Sequence, residues 1–265
     1  MIVALVTIFK AETRRQFRQN WSYRFEMIGE VALWLIAFPM MMLIFESIAS
    51  SYDKPAQTAS LFGFLTWDLC LGVMVVTTRE ITQESKQGTL ETVFLSPVDP
   101  LLLFSARTGA AFTLRSVRSA LLGILLARIL GLHFQMTSVV LGLIGIMIGG
   151  AFGLSLLLGG IAFVHKEIGS VIGVVSLLAT LATGALVPLN SLGILFLILK
   201  LVVPFTWGID AIRFTIIGVP PGQPTVENLT WLGLILQMAI LLTLGVVMFK
   251  RGYEQARKRN LLGSY

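Results

Sequence analysis

The side chains in this chain that could do chemistry are few and lie in two places. One is the run ESKQGTLETVFLSP, Glu84 to Pro97, where Glu84 and Glu91 flank an apolar trio, Leu90, Val93 and Phe94, spaced i, i+3 and i+4. Gly88 can break a helix there, Thr89 can start another, and Ser96-Pro97 ends it after about two turns. A helix that short is unstable alone in water and needs a surface to pack on. The other place is a set of charges in apolar surroundings: Asp68 within LFGFLTWDLCLGVMVVTT, and Arg115 and Arg118 in the next long segment. Charges so placed are costly and serve either as inter-helix pairs or as part of a path for polar cargo.

Neither place holds a converging catalytic set. The two histidines, His133 and His165, fall at opposite membrane faces in the topology set out below, no Gly-x-Ser-x-Gly occurs, and no paired intramembrane aspartates are present. These absences argue against a membrane-embedded enzyme. The nucleotide-binding pattern GxxxxGK[ST] is missing too, the dipeptide Gly-Lys not occurring at all, so the chain lacks that route to ATP hydrolysis. Cys70 is the sole cysteine, which excludes an internal disulfide and any cysteine cluster for a metal, and no metal site is expected.

The elements that must position these residues follow from composition. Hydrophobic residues make up 55% of the 265 and charged ones 13%, where soluble domains have roughly 45 to 50% and 25%. The apolar residues fall in long blocks, and spanning about 30 Å of hydrocarbon takes about 20 helical residues. Six blocks qualify: 28–48, 61–78, 103–130, 138–164, 170–187 and 229–249. The segment 188–221, broken by Pro188, Pro204, Gly208 and Pro220-Pro221, reads as short re-entrant helices in the outer leaflet. The expected fold is an all-α polytopic membrane protein forming one transmembrane domain, with 1–25 as a cytoplasmic interfacial helix, 28–249 as the bundle and 250–265 as a cytoplasmic tail.

Lysine and arginine set the orientation. With the N-terminus inside, Lys10, Arg14, Arg15, Arg18, Arg24, Arg79, Lys86, Arg107, Lys166, Lys250, Arg251, Arg257, Lys258 and Arg259 are cytoplasmic, leaving Lys54, Arg128, Lys200 and Arg213 at the outer side. Both termini are then cytoplasmic, and the net charge of +6 needs no nucleic acid to explain it. Residues 2–20 place Ile2, Leu5, Val6, Phe9, Thr13 and Phe17 on one helical face and Arg14, Arg15 and Arg18 on the other, the pattern of a helix lying against anionic headgroups. The N-terminus lacks the order of a cleaved signal and is expected to remain.

With a rise of about 1.5 Å per residue, Arg115 lies roughly 12 Å and Arg118 roughly 16 Å inward from Arg107, and Asp68 lies roughly 16 Å inward from Arg79. Asp68 can therefore meet either arginine. One outcome is a lock between spans two and three; another leaves an arginine facing a translocation path; a third starts span three near Leu114 and moves both arginines toward the interface. Gly145, Gly149 and Gly153, spaced i+4 in span four, form a small-residue face for close packing.

On Glu80, Glu84, Gly88, Thr89, Leu90, Glu91, Val93, Phe94, Leu95, Ser96 and Pro97, on the charged turn His165-Lys166-Glu167, and on PFTWGIDAIR from Pro204 to Arg213, the chain resembles the membrane (permease) subunits of type-2 ABC exporters over essentially its whole length. Many relatives have Arg or Glu where this chain has Ser85 and Lys86. The resemblance implies that Glu84, Gly88, Thr89, Leu90, Glu91, Val93 and Phe94 form a coupling helix, its apolar trio filling a groove of a separate ATPase subunit and its glutamates pairing with basic residues there. It further implies ATP and Mg bound by that partner, no cofactor in this chain, a second identical or similar membrane subunit, and a bacterial or archaeal cytoplasmic membrane. The cargo implied is amphipathic, lipid-linked or drug-like, with polysaccharide or ions as alternatives. A passive channel is the rival from another class, and it would leave the docking helix without a purpose.

Overall fold

The computed structural model describes residues 2–48, 53–132, 136–165, 168–185, 198, 203–218 and 227–258. Every regular element among them is a helix. α1 (Ile2–Ser22) and α2 (Arg24–Ile48) join at Tyr23, and α3 (Lys54–Met74) runs into α4 (Val76–Lys86) with a break at Val75. The short α5 (Leu90–Leu95) is followed by the long α6 (Pro100–Leu130), α7 (Ser138–Ala162), α8 (Gly169–Ala182), α9 (Thr206–Ile217) and α10 (Glu227–Lys258). Local sequence accounts for several ends. Asp53 and Asp99 accept hydrogen bonds from the amides of Ala56 and Leu101 just ahead of a proline in the first turn, and Gly131 closes α6 at φ 63°.

Five helical segments are long and apolar enough to cross a bilayer: Arg24–Ser47, Lys54–Lys86, Pro100–Leu130, Ser138–Ala162 and Trp231–Lys258. The expected fifth span, 170–187, is described only as the 14-residue α8, about 21 Å long, ending before Gly184 at φ 71°. Residues 186 and 187 lie outside the described residues, as does half of the expected re-entrant segment 188–221, of which α9 is the described helix. The sixth expected span also differs. α10 continues helically to Lys258, where 250–265 reads as a tail, because Gly252 and Ala256 pack against the bundle instead of entering water.

α7 and α10 form the tightest helix pair. A Cβ on Gly153 would collide with the Leu242 backbone, one on Gly245 with the Gly153 carbonyl, one on Gly160 with Met248, and one on Gly252 with the Gly160 carbonyl. The two contact points are one heptad apart on both helices, so α7 and α10 run parallel with their backbones touching. Parallel neighbours require the chain between them to return across the height of the bundle. α8 begins that return: Gly169 lies beside the Lys86 end of α4, Thr180 accepts a hydrogen bond from Trp67 Nε1 at 2.9 Å, and the Ala185 carbonyl sits against Gly63. Of the predicted glycine face only Gly153 makes a close contact, while Gly145 and Gly149 have nothing within 4 Å of a Cβ position.

The break at Val75 is stitched by side chains. The Thr77 amide donates to Ser155 Oγ on α7 at 3.2 Å, and the Thr77 hydroxyl lies 2.8 Å from Ser155 Oγ and 3.1 Å from Thr108 Oγ1 on α6. All three residues are buried, so a polar knot satisfies the amide that the broken helix frees and joins three helices.

Gly153→Leu and Gly245→Leu are expected to destabilise the purified protein by more than about 3 kcal/mol, since no side-chain shift relieves a clash with backbone. Gly149→Leu, built into open space, is expected to leave thermal unfolding in detergent unchanged.

Candidate functional site

α4 ends at a sharp corner. Gly88 adopts φ 68°, where a side chain would be strained, and the Thr89 amide turns back to the Glu84 carbonyl at 3.0 Å. The Thr89 hydroxyl donates to the Glu84 carboxylate, so the residue just ahead of the new helix is tied to the last turn of the old one. The sequence motif thus does form two helices split at Gly88.

The direction its side chains face differs from expectation. Leu90 is 3% exposed, and Val93 and Phe94 pack inward against a cluster that includes Ile81, Phe104, Phe163 and Phe249. The Phe94 ring centroid lies 5.5 Å from that of Phe163 and 4.9 Å from that of Tyr253. The apolar trio seats α5 on its own chain because Phe104, Phe163, Phe249 and Tyr253, near the ends of α6, α7 and α10, offer it a ready apolar surface. Glu91, Thr92 and Leu95 are the exposed side chains of α5, Leu95 at 80%.

Glu84 likewise turns inward. It and Glu80 face Arg107 of α6, whose Nη1 lies 2.9 Å from Glu84 Oε1 and 3.3 Å from Glu80 Oε2, while its Nε meets Glu12 of α1 at 3.3 Å. The Nη1 contacts are ion pairs whose angles fall short of hydrogen bonds. Arg15 of α1 bridges Glu12 at 2.6 Å and Glu80 at 2.7 Å, and Gln16 Nε2 donates to Glu80 at 3.1 Å. Burial alone would lower the pKa of Arg15, but the field of Glu80, joined by Glu12, holds it above its ordinary value. Three acids and two arginines from α1, α4 and α6 thereby form one half-dry cluster just behind the α4–α5 corner.

A second cluster lies farther along α6. Arg115 Nη2 meets Asp68 Oδ1 at 2.8 Å, its Nε donates to the Asp68 carbonyl at 3.2 Å, and its side chain crosses α3 where Gly72 leaves room for it. Arg118 makes a two-pronged pair with Glu30 of α2, with Nη2 to Oε1 at 3.0 Å, and Glu30 also lies 3.8 Å from Arg115. Asp68 therefore takes Arg115, and Arg118 takes an acid the sequence reading passed over. The available signal was a glutamate just inside the start of an apolar span, IGEVALW.

α6 is 31 residues long, about 46 Å, and α1 lies against its first half, with Phe9 against Gly109. Arg115 lies roughly 9 Å farther along α6 than that contact. Both clusters border a cleft of about 1000 Å³ between α1–α2 and α3, α4 and α6. α1 also turns differently from its helical wheel: Glu12 and Gln16 face inward with Phe9, while Val6, Phe17 and Trp21 remain exposed at 59, 55 and 64%.

The sequence model of the ABC-2 type transporter family matches residues 4–217. No curated protein sequence matches the chain.

The two pairs of the upper cluster differ in burial, with 9% of the Asp68 side chain exposed against 39% for Glu30. Arg115→Ala is expected to cost about 3 kcal/mol or more by stranding a buried carboxylate, and Arg118→Ala about 1 kcal/mol. Thermal unfolding of both variants in the same detergent checks the order.

Proposed function

The chain belongs to the ABC-2 type transporter family and is a membrane permease component; on that premise we propose that it exports an amphipathic, lipid-linked or drug-like molecule from the cytoplasm, using ATP hydrolysed with Mg by a separate subunit. Two such membrane subunits, identical or similar, complete the translocator in a bacterial or archaeal cytoplasmic membrane. In this reading α8 and the chain after it provide a sixth crossing, and both termini are cytoplasmic.

The observation that carries the proposal is the construction of the α4–α5 corner. α5 is the coupling helix, and a push on its exposed face passes through two rigid links. Leu90, Val93 and Phe94 carry it into α6, α7 and α10 through packed rings. Glu84 and Glu80 carry it into α6 and α1 through Arg107. The role of the motif is then divided by face. Glu91, Thr92 and Leu95 touch the ATPase, whereas Gly88, Thr89, Glu84 and the apolar trio hold α5 at a fixed angle to the membrane helices.

Amphipathic cargo suits the cleft of about 1000 Å³ beside the cytoplasmic leaflet, because its walls mix Phe17, Trp21, Leu121 and Leu125 with Glu30, Arg115 and Arg118. A molecule with one apolar and one polar end satisfies both kinds of wall.

Leu95→Asp and Glu91→Lys are expected to weaken copurification of the ATPase at least tenfold and to abolish transport-linked hydrolysis, with unfolding temperature unchanged. Undiminished copurification in both variants would remove α5 as the docking element.

A further inference from the structure

α4 is polarised. Its acids Glu80 and Glu84 both face α1 and α6, where Arg15 and Arg107 neutralise them. The opposite face carries Val75, Thr78, Arg79, Thr82, Lys86 and their neighbours Gln83 and Gln87, spaced so that they line one side of a helix. Across from it stands α8 with Gly169, Ile172, Gly173 and Ser176, also on one helical face. The two faces flank an open cavity of about 620 Å³.

Three features of this cavity point to a ligand. No acid lines it among the described residues, whereas two cations, Arg79 and Lys86, do, and neither has an ion pair there. Two hydroxyls on its walls are orphaned: Thr78 Oγ1, on a residue 4% exposed, and Ser176 Oγ are both buried without a hydrogen-bond partner. A buried hydroxyl left so costs about 1 to 3 kcal/mol, a cost that a polar group reaching it between α4 and α8 would remove. Finally, Gly169 and Gly173 have nothing within 4 Å of a Cβ position, so this wall is open because it lacks side chains. The cavity also reaches the first residue of α8, the positive end of a 14-residue helix.

The cavity is not polar throughout. Val75 and Ile172 line it, and the adjoining outward face of α8 presents Val174, Val175, Leu177 and Leu178, each more than half exposed. Gln87, next to the Gly88 corner, places one end at the cytoplasmic boundary, and Val75 and Ser176 lead from there toward the bilayer.

We propose that this cavity binds the head of an anionic amphiphile, its phosphate, sulfate or carboxylate oxygens accepting from Arg79, Lys86 and the Thr78 hydroxyl, while its apolar chain lies along α8. Arg79 donates in the two-pronged way that a planar guanidinium offers an oxoanion, and Lys86 supplies a second, mobile charge. The assignment rests on the permease reading and narrows its cargo to amphiphiles with an acidic head. Because α4 leads directly into α5, an occupied cavity also bears on the rod that the ATPase would move.

The test uses the full chain in nanodiscs of neutral lipid, without ATPase, so that it is independent of coupling. Dodecyl phosphate, dodecylphosphocholine and inorganic phosphate are added in turn, and binding is read as ligand-dependent thermal stabilisation. Dodecyl phosphate is expected to bind saturably and dodecylphosphocholine at least tenfold more weakly. The double variant Arg79→Gln, Lys86→Gln is expected to weaken dodecyl phosphate at least tenfold. Gly173→Leu, whose Cβ has no protein atom within 4 Å, is expected to abolish binding while unfolding at the parent temperature. Unchanged affinity in both variants, or equal affinity for the phosphocholine, would overturn the site. Inorganic phosphate binding as tightly as dodecyl phosphate would overturn its assignment to an amphiphile.

Discussion

A charge near the hydrocarbon core has to meet an opposite charge or reach water, and α6 is where this constraint acts most strongly. Its arginines 107, 115 and 118 lie within about 80° of one another around the helix, and each is met by acid from elsewhere in the fold. Arg107 takes Glu12 of α1 with Glu80 and Glu84 of α4, Arg115 takes Asp68 of α3, and Arg118 takes Glu30 of α2. One side of one helix thereby organises the first four helices of the chain. The cost of stranding any of these groups, several kcal/mol when buried, explains why α2 stays in register although little of its own surface is buried.

The other half of the bundle is held by shape. Glycines bring the α7 and α10 backbones together at two points a heptad apart, and in an apolar solvent such contact substitutes for the hydrophobic effect that drives packing in water. The hydroxyls of Thr77, Thr108 and Ser155 join the two halves, at the level where the long α3–α4 rod breaks. A displacement at the α4–α5 corner therefore meets ionic contacts on one side, aromatic contacts on the other, and a polar pivot above. That arrangement suits a membrane component that moves as a body when the α4–α5 corner is displaced.

The helical, polytopic character of the chain was legible because length and apolarity of a block are sufficient to name a membrane helix when no backbone group can be left unpaired in lipid. The break at Gly88 was legible for a similar reason, since few other residues take a positive φ at so little cost. The partner of Arg118 was not. Glu30 reads as an ordinary interfacial acid until α2 is laid beside α6, and residues 88 apart in sequence carry no local sign of meeting. The choice of Gly153 over Gly145 and Gly149 was hidden likewise, because the three share a spacing and only the crossing with α10 separates them.

Sequence alone determined the character of most segments: long apolar helices, a charged corner broken at Gly88, and a chain without the GxxxxGK[ST] pattern. Those properties are local, fixed by side-chain type and by the period of the backbone. Tertiary structure decided where the faces point. It turned Leu90, Val93 and Phe94 inward and left Leu95 outside. It also set the acids of α4 against Arg107 while leaving Arg79 and Lys86 on an open wall. A six-residue helix has no interior of its own, so the direction of its apolar side is settled by whichever surface the longer helices bring to it.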